Sequence, residues 1–166
     1  MDAAQLKDRQ RPLKNQYRAD PASAVLTLRA EGSLSEDAPA CSVQTGRALV
    51  EAGLHSATGG DGALACSGDM LLQALVACAG VTLRAIAINR GIEVTGSVSA
   101  AGELDFAGTL GVAPDSPVGF RAISLTFDLE SSAPEVELDA LIDTTRRYCV
   151  VLQTLATPTP ITVARS

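Results

Sequence analysis

The 166-residue chain predicts an α+β fold in which antiparallel sheets pack around one buried central helix. Residues 69–91 form a long apolar run, rich in Ala and Leu, which favours a helix over a single strand. Segments in which apolar and polar residues alternate flank this run on both sides, as expected for strands. A second helical stripe follows near the C-terminus, so the predicted order is strands, helix, strands, helix and strand.

Residues 1–22 are polar and predict an N-terminal arm outside the core, with a short helix over residues 3–10, whereas residues 23–166 form the predicted domain. Before the central helix, two strands are predicted to form a hairpin and a Gly-rich stretch to form a flexible loop. These segments are the strands at 24–31 and 41–46, the turn at 32–39, a strand or helical turn at 47–53, and the loop at 54–68.

The predicted central helix begins at Asp69, which is suited to cap the first amide groups, and stops at Gly91. Apolar residues lie on every face of this helix, so we expect other elements to enclose it. Gln73, Thr82 and Arg84 interrupt the apolar run, which argues against a membrane span.

The second half of the chain alternates between strand and helix signals. Residues 120–130 have the cleanest period-2 pattern, with Ile123, Leu125, Phe127 and Leu129 on one face, and predict a half-buried strand. The other predicted elements are one or two strands within 92–108, a loop at 112–119, a helix from about residue 134 to 147, a short helix at 148–155, and an edge strand at 158–163.

The composition limits the classes of function. A net charge of −6 without a Lys/Arg-rich tract argues against nucleic acid as a partner, because phosphate binding requires a basic surface. The N-terminus has no apolar signal region, so we expect a cytoplasmic protein whose four cysteines are either buried or reactive rather than disulfide-bonded.

The spacing of these cysteines makes a metal site or another cofactor unexpected. The chain has no Cys-x-x-Cys pair and only one histidine, His55, which argues against structural zinc and against a Cys–His catalytic pair. Taken singly, each cysteine is more often a buried small apolar residue than a reactive one.

Two cysteines nevertheless have surroundings that bear on reactivity. Cys149 follows two arginines where a new helix is predicted to begin, and both cations and helix N-termini stabilise a thiolate. Cys78, in the middle of the apolar helix, would have a raised pKa and be inert unless a cation such as Arg47 or Arg84 lay over it.

Both cysteines also stand in sequences that resemble one known family. The central run Leu71-Leu-Gln-Ala-Leu-Val-Ala-Cys78-Ala-Gly-Val-Thr-Leu resembles the cysteine-bearing helix of the OsmC/Ohr family, the osmotically inducible and organic hydroperoxide resistance proteins. The stretch Arg147-Tyr-Cys149-Val-Val-Leu-Gln-Thr-Leu is similar to the second cysteine site of that family. The resemblance covers residues 24–165 and implies an OsmC-like fold in an intertwined homodimer, with its sites at the interface.

The resemblance implies a thiol peroxidase that acts on organic hydroperoxides. In that scheme Cys78 attacks the peroxide and becomes a sulfenic acid, Cys149 condenses with it to a disulfide, and a lipoyl-type dithiol reduces both. The family also holds its thiolate with an upstream Arg and a Glu. Arg47 is the best candidate for the Arg, whereas Gly68 stands at the Glu position, so Asp69 and Glu51 are the candidate acids.

Three alternatives follow from the same residues. The missing Glu favours an OsmC-fold protein that binds a small molecule without turnover. A purely structural dimer, with cysteines that only pack, is the second alternative. Finally, Cys66 lies in a loop just before the central helix and is an alternative resolving partner for Cys78.

Overall fold

The computed structural model describes residues 2–20, 23, 32–34, 40–45, 48–111 and 113–165. The chain forms two compact units. Unit 1 comprises Met1–Ala19, Ala74–Ser99 and Leu125–Ser166, and unit 2 comprises Asp20–Gln73 and Ala100–Ser124. The boundary at residue 22 between an arm and a domain stays a prediction.

Unit 2 contains a four-stranded sheet in the order β1-β2-β3-β4, with β1 at Gly32–Leu34, β2 at Ala40–Thr45, β3 at Ala48–Gly53 and β4 at Ala65–Cys66. The first three strands run antiparallel, as predicted, but β4 pairs with β3 in parallel through Ala52–Ala65 and Gly53–Cys66. The parallel pair corrects the expectation of purely antiparallel sheets.

The elements predicted within residues 24–53 are confirmed only in part. The strand alternative for residues 47–53 is confirmed by β3, and the predicted strand at 41–46 corresponds to β2. The turn predicted at 32–39 is wrong at its start, because Gly32–Leu34 is a strand whose ladder with β2 overrides its turn-like composition. The strand predicted at 24–31 lies outside the described residues.

The loop predicted at 54–68 contains regular structure. A 3-10 turn occupies Ser56–Thr58, and the loop ends in β4. Helix α2, at Ser67–Arg90, follows β4 directly, so it begins two residues before Asp69. Asp69 therefore lies in the first turn of α2 and is not its cap. Gly91 ends the helix with φ +71, a conformation that suits glycine.

The fully buried residues of helix α2 lie along one face, among the residues that the structure describes. Its buried residues follow a four-residue spacing, at Leu75, Ala79, Leu83 and Ala87. Val81, on another face, is 72% exposed. The expectation of a fully enclosed helix is therefore wrong for the single chain. By length and composition alone α2 would suffice to cross a membrane.

Strands β5 (Thr95–Leu104) and β6 (Phe120–Glu130) form a two-stranded ribbon. Strand β6 has the predicted bounds, and the predicted inward face is half-buried. Gly96 has φ +121, and a Cβ there would lie 2.0 Å from the carbonyl oxygen of Asp128, so this close approach requires glycine. A four-residue helix α3, at Phe106–Thr109, follows β5.

The core of unit 1 contains side chains from α2, from the segment just after α2, and from α4 (Glu135–Tyr148). Its buried cluster is Leu83, Ala87, Val94 and Leu141, with Phe127 and Leu129 of β6 among the side chains packed on it. The predicted C-terminal helices are confirmed as α4 and α5 (Val150–Ala156).

Two predictions at the chain ends are corrected. The N-terminal helix α1 spans Ala3–Ala19 and continues past Pro12, well beyond the predicted residue 10. The predicted edge strand at 158–163 is wrong, because residues 158–165 have no regular structure and are exposed. Pro158 and Pro160 have no N–H to donate to a ladder, and among the described residues no strand pairs with this segment.

Candidate active site

Cys78 and Cys149, which are far apart in the sequence, meet in unit 1. Cys78 projects from α2 and is partly buried, whereas Cys149 is 0% exposed. Both are free thiols, and their side chains lie within hydrogen-bonding contact. Two thiols in contact are the starting arrangement for a reversible disulfide.

The junction between α4 and α5 places Cys149. This residue ends α4 and precedes α5 in an extended conformation, with φ −73° and ψ 108°. Its N–H donates to the carbonyl of Thr145 at 2.9 Å, and its own carbonyl accepts from the N–H of Gln153 at 2.9 Å. The Gln153 side chain also donates to the carbonyl of Arg146 at 2.9 Å. These bonds fix the backbone of Cys149 between the two helices.

The pKa of the Cys78 thiol lies below its ordinary value. Burial alone would raise this pKa, but the backbone amides of Val151 and Val150 and the side chain of Cys149 donate hydrogen bonds that favour the thiolate. The hydroxyl of Thr82 makes a smaller contribution in the same direction. Cys78 is therefore the thiol that this site prepares as a nucleophile.

The pKa of Cys149 is shifted the other way. Burial raises the pKa of this thiol, and the neighbouring Cys78 raises it further through their hydrogen bond and through like charge. Backbone amides of Leu152 and Val151 offset this only in part. The amides at the start of α5 lower the pKa of Cys149, as expected for a helix start, but burial and the neighbouring Cys78 outweigh them, so the expectation of a favoured Cys149 thiolate is wrong.

Among the described residues, no cation is one of the groups that shift the pKa of Cys78. The described groups that lower its pKa are neutral donors, namely backbone amides, a thiol and a hydroxyl. Arg84 instead donates to the carbonyl of Val94 at 2.8 Å. Arg47 lies outside the described residues.

The two candidate acids lie in unit 2. Glu51 is exposed on β3, and Asp69 is exposed in the first turn of α2. Neither carboxylate contributes to the pKa of Cys78 or of Cys149. A role for Arg47, Asp69 or Glu51 beside the thiolate stays a prediction.

Cys66 is poorly placed to resolve Cys78 of the same chain. It ends β4 immediately before α2, and twelve residues of sequence separate it from Cys78. At about 1.5 Å per residue, the helix separates them by roughly 18 Å. A disulfide requires Cα atoms about 4.4–6.8 Å apart, so this pairing would require α2 to unwind.

The residues that sequence reasoning missed act through their backbones. No side-chain motif marks the backbone amides of Val150 and Val151 as donors to Cys78. The helix start predicted after Cys149 is a sequence signal that could have identified them. His55, the single histidine, has a local role: its Nδ1 accepts from the N–H of Ala57 at 3.0 Å, and its ring stacks on Phe106 at 4.7 Å. Among the described residues, no cluster of His, Cys, Asp and Glu is suited to hold a metal.

Comparison with known proteins gives a consistent family assignment. The family model described as OsmC-like protein matches residues 60–164. No curated protein matches the sequence. The match to the family model includes both Cys78 and Cys149.

Solved structures support the same fold. An OsmC-like protein from Mycoplasma pneumoniae is 20% identical, with a TM-score of 0.65 over 79% of this chain and 88% of that chain. An organic hydroperoxide resistance protein from Legionella pneumophila is 15% identical, with a TM-score of 0.58 over 79% of this chain and 90% of that chain. An OsmC-like protein of unknown function from Vibrio cholerae is 12% identical, with a TM-score of 0.59 over 78% of this chain and 94% of that chain.

Proposed function

The chain belongs to the OsmC-like family, and on that premise we propose that it is a thiol-dependent peroxidase that reduces organic hydroperoxides. The observation that carries this proposal is the contact between Cys78, whose thiolate is favoured, and Cys149, whose thiol form is favoured. The name of the Legionella pneumophila neighbour, an organic hydroperoxide resistance protein, is consistent with this substrate class. A cytoplasmic location stays a prediction.

In the first step the Cys78 thiolate attacks the distal oxygen of the hydroperoxide. The O–O bond breaks, the alkoxide takes a proton from water and leaves as the alcohol, and Cys78 becomes a sulfenic acid. The amides of Val150 and Val151 favour the thiolate before this attack. The peroxide is reduced by two electrons and the sulfur is oxidised by two.

In the second step Cys149 resolves the sulfenic acid. Its sulfur attacks the Cys78 sulfur, the S–S bond forms, and the hydroxyl leaves as water with the Cys149 proton. The contact between these two thiols supports Cys149 as the resolving group. An external dithiol, of the lipoyl type that the family resemblance implies, then reduces the disulfide through two thiol–disulfide exchanges.

The proposal is tested by counting thiols by mass after one equivalent of cumene hydroperoxide, followed by peptide mapping. The wild type should lose two thiols, mapped to a Cys78–Cys149 disulfide, whereas Cys149→Ser should stop at a Cys78 sulfenic acid that dimedone traps. Cys149→Ala removes the hydrogen-bond donor as well, so its first oxidation should also be slower at neutral pH.

The variant Cys66→Ser is the matched control and should still form the Cys78–Cys149 disulfide. Survival of all four thiols in excess peroxide would overturn the peroxidase and leave a binding protein as the better account. A disulfide that includes Cys66 would be consistent with peroxide reduction but would show that Cys149 is not the resolving residue.

We further propose that two copies of the chain form a homodimer that covers this site. Large apolar side chains beside the two cysteines are exposed in the single chain: Val81 by 72%, Val150 by 70% and Tyr148 by 60%. Exposed apolar patches of this kind mark interaction surfaces. A second copy is the occupant that the family resemblance implies.

Sedimentation of two matched variants tests the homodimer. Val81 on α2 and Val136 on α4 are each 72% exposed, but only Val81 lies one turn of helix from Cys78. Val81→Glu should shift the protein towards monomer, and Val136→Glu should leave the dimer intact. A wild type that sediments as a monomer at micromolar concentration would contradict the proposal.

A further inference from the structure

Unit 2 contains a second candidate site, separate from the cysteine pair. A cavity of about 490 Å³ lies among the loop after β3, the first turn of α2, the end of β5, and the residues around α3 and the start of β6. All of its lining residues belong to unit 2. Its volume falls within the range of roughly 300–1,000 Å³ typical of small-molecule sites.

The walls of this cavity are mainly apolar, and two of them are aromatic rings. The apolar side chains are Leu54, Leu72, Leu104, Phe106, Val118 and Phe120. Hydroxyl groups of Thr58, Ser67 and Thr109 add hydrogen-bonding capacity, and the Cys66 thiol adds a reactive group. An apolar body with a few polar groups around it is the usual composition of a ligand site.

The loop that forms one wall is held in place before any ligand binds. The carbonyl of His55 accepts from the N–H groups of Thr58 and Gly60 at 2.8 and 3.1 Å, and from the Thr58 hydroxyl at 2.9 Å. The His55 ring is held by the Ala57 amide and stacks on Phe106 with an angle of 16° between the rings. A preformed wall lowers the entropy cost of binding.

Two glycines border the ring of Phe120 in the cavity wall. A Cβ on Gly102 would lie 2.5 Å from the ring of Phe120, so a side chain there would displace this ring. A Cβ on Gly68 would lie 3.4 Å from the same ring and 3.6 Å from the Cys66 sulfur. Gly102 therefore lets the Phe120 ring pack directly against the backbone and sets the position of this wall, whereas a Cβ at Gly68 would make ordinary contacts.

The charge of the lining points to the ligand class. Among the lining residues that the structure describes, Asp69 is the only Asp or Glu, and none is a Lys or Arg. A cationic group at Asp69 would gain an ion pair with its carboxylate. An anionic group would meet the Asp69 carboxylate, and no Lys or Arg among the described lining residues would balance it.

We propose that this cavity binds a small amphipathic amine, with its ammonium group at Asp69 and its aromatic or aliphatic body between Phe106 and Phe120. Cys66 reports occupancy because its thiol lines the same space. This binding does not depend on peroxide chemistry at Cys78, so either proposal can fail without the other.

Three probes that share one apolar body test the proposal on the intact wild-type protein. They are 4-phenylbutylamine, 4-phenylbutanol and 4-phenylbutyrate. The rate at which iodoacetamide alkylates Cys66, read by peptide mass, reports occupancy, and the rate at Cys78 in the same sample is the internal control. At a concentration ten times its Kd, the amine should slow Cys66 about elevenfold, since only the free protein reacts.

The amine should bind most tightly, the alcohol less tightly and the carboxylate most weakly. Asp69→Asn should weaken the amine by about three- to fivefold, the scale of an exposed ion pair, and leave the alcohol unchanged. Asp115→Asn is the matched control, since it removes the same charge from an exposed residue of unit 2 that does not line the cavity.

Added NaCl should weaken the amine and not the alcohol, which tests the ion pair without any substitution. Equal or tighter binding of 4-phenylbutyrate would overturn the charge assignment and with it the proposal. Cys66 alkylation that no probe slows, or that slows together with Cys78, would likewise overturn it.

Discussion

Cys78 and Cys66 are twelve residues apart in the sequence, yet they lie in different kinds of surroundings. Cys78 is in contact with a second thiol and with the amides of Val150 and Val151, which lower its pKa. Cys66 borders an open cavity of about 490 Å³ among apolar side chains. The reactivity of a thiol such as Cys78 depends on hydrogen-bond donors and on a partner thiol, whereas ligand binding beside Cys66 depends on empty volume.

The largest expected difference between the two thiols is in peroxide turnover. Cys78→Ser should lower the rate of cumene hydroperoxide consumption with a dithiol reductant by about a thousandfold or more, because no nucleophile remains at the paired site. Cys66→Ser should leave the rate within about twofold of the wild type. A similar loss in both variants would remove the distinction between the two regions.

The two regions should also differ in how they tolerate truncation. Leu141 is 0% exposed in the core of unit 1, so Leu141→Ala should lower the free energy of unfolding by about 2–5 kcal/mol. Leu72 is partly buried and already borders the cavity, so Leu72→Ala should cost less, about 1–2 kcal/mol. Urea denaturation measures both, and equal costs would contradict the contrast in packing.

The pH dependence of alkylation sharpens the comparison within the cysteine pair. Because the pKa of Cys78 is lowered, its reaction with iodoacetamide should persist to a lower pH than that of an ordinary thiol, whose pKa is about 8.5. Cys149→Ala should move this profile to higher pH, since one donor to the thiolate is lost. An unchanged profile would show that the contact between the thiols does not favour the thiolate.

The pKa shifts of Cys78 and Cys149 also predict how the free energy of unfolding changes with pH. The lowered pKa of Cys78 favours the folded state most above the ordinary thiol pKa, and this contribution is lost as the pH falls through the folded value. The raised pKa of Cys149 acts in the opposite sense. Its contribution to stability is present below the ordinary thiol pKa and is lost as the pH rises through the raised pKa of the folded state.

The smallest expected effect concerns the glycine beside Cys66. Gly68 lies in the first turn of α2, and an added Cβ would make ordinary contacts with the Phe120 ring and the Cys66 sulfur. Gly68→Ala should therefore raise stability by about 0.5–1 kcal/mol through lower chain entropy, or roughly 1–4 °C in Tm. A fall in Tm would show that the space beside Phe120 cannot accept a methyl group.

Periodicity and turn residues alone determined much of the fold. The alternation over Phe120–Glu130 gave β6 its bounds, and the apolar run gave α2 to within two residues at its start, because both patterns are local and long. The motif around each cysteine also identified Cys78 and Cys149 as a candidate pair, through a family that the OsmC-like match then established.

Only the tertiary structure decided which groups act on Cys78. The effective donors are backbone amides and a thiol from a segment about seventy residues away in the sequence, and a cation inferred from residue type had no such contact among the described residues. The short strand at Gly32–Leu34 was likewise decided by its pairing with β2, and the segment at 158–165 pairs with no strand in the described part of the chain. A sequence pattern records what each residue prefers locally, whereas hydrogen bonds, burial and cavities depend on which distant residues it meets.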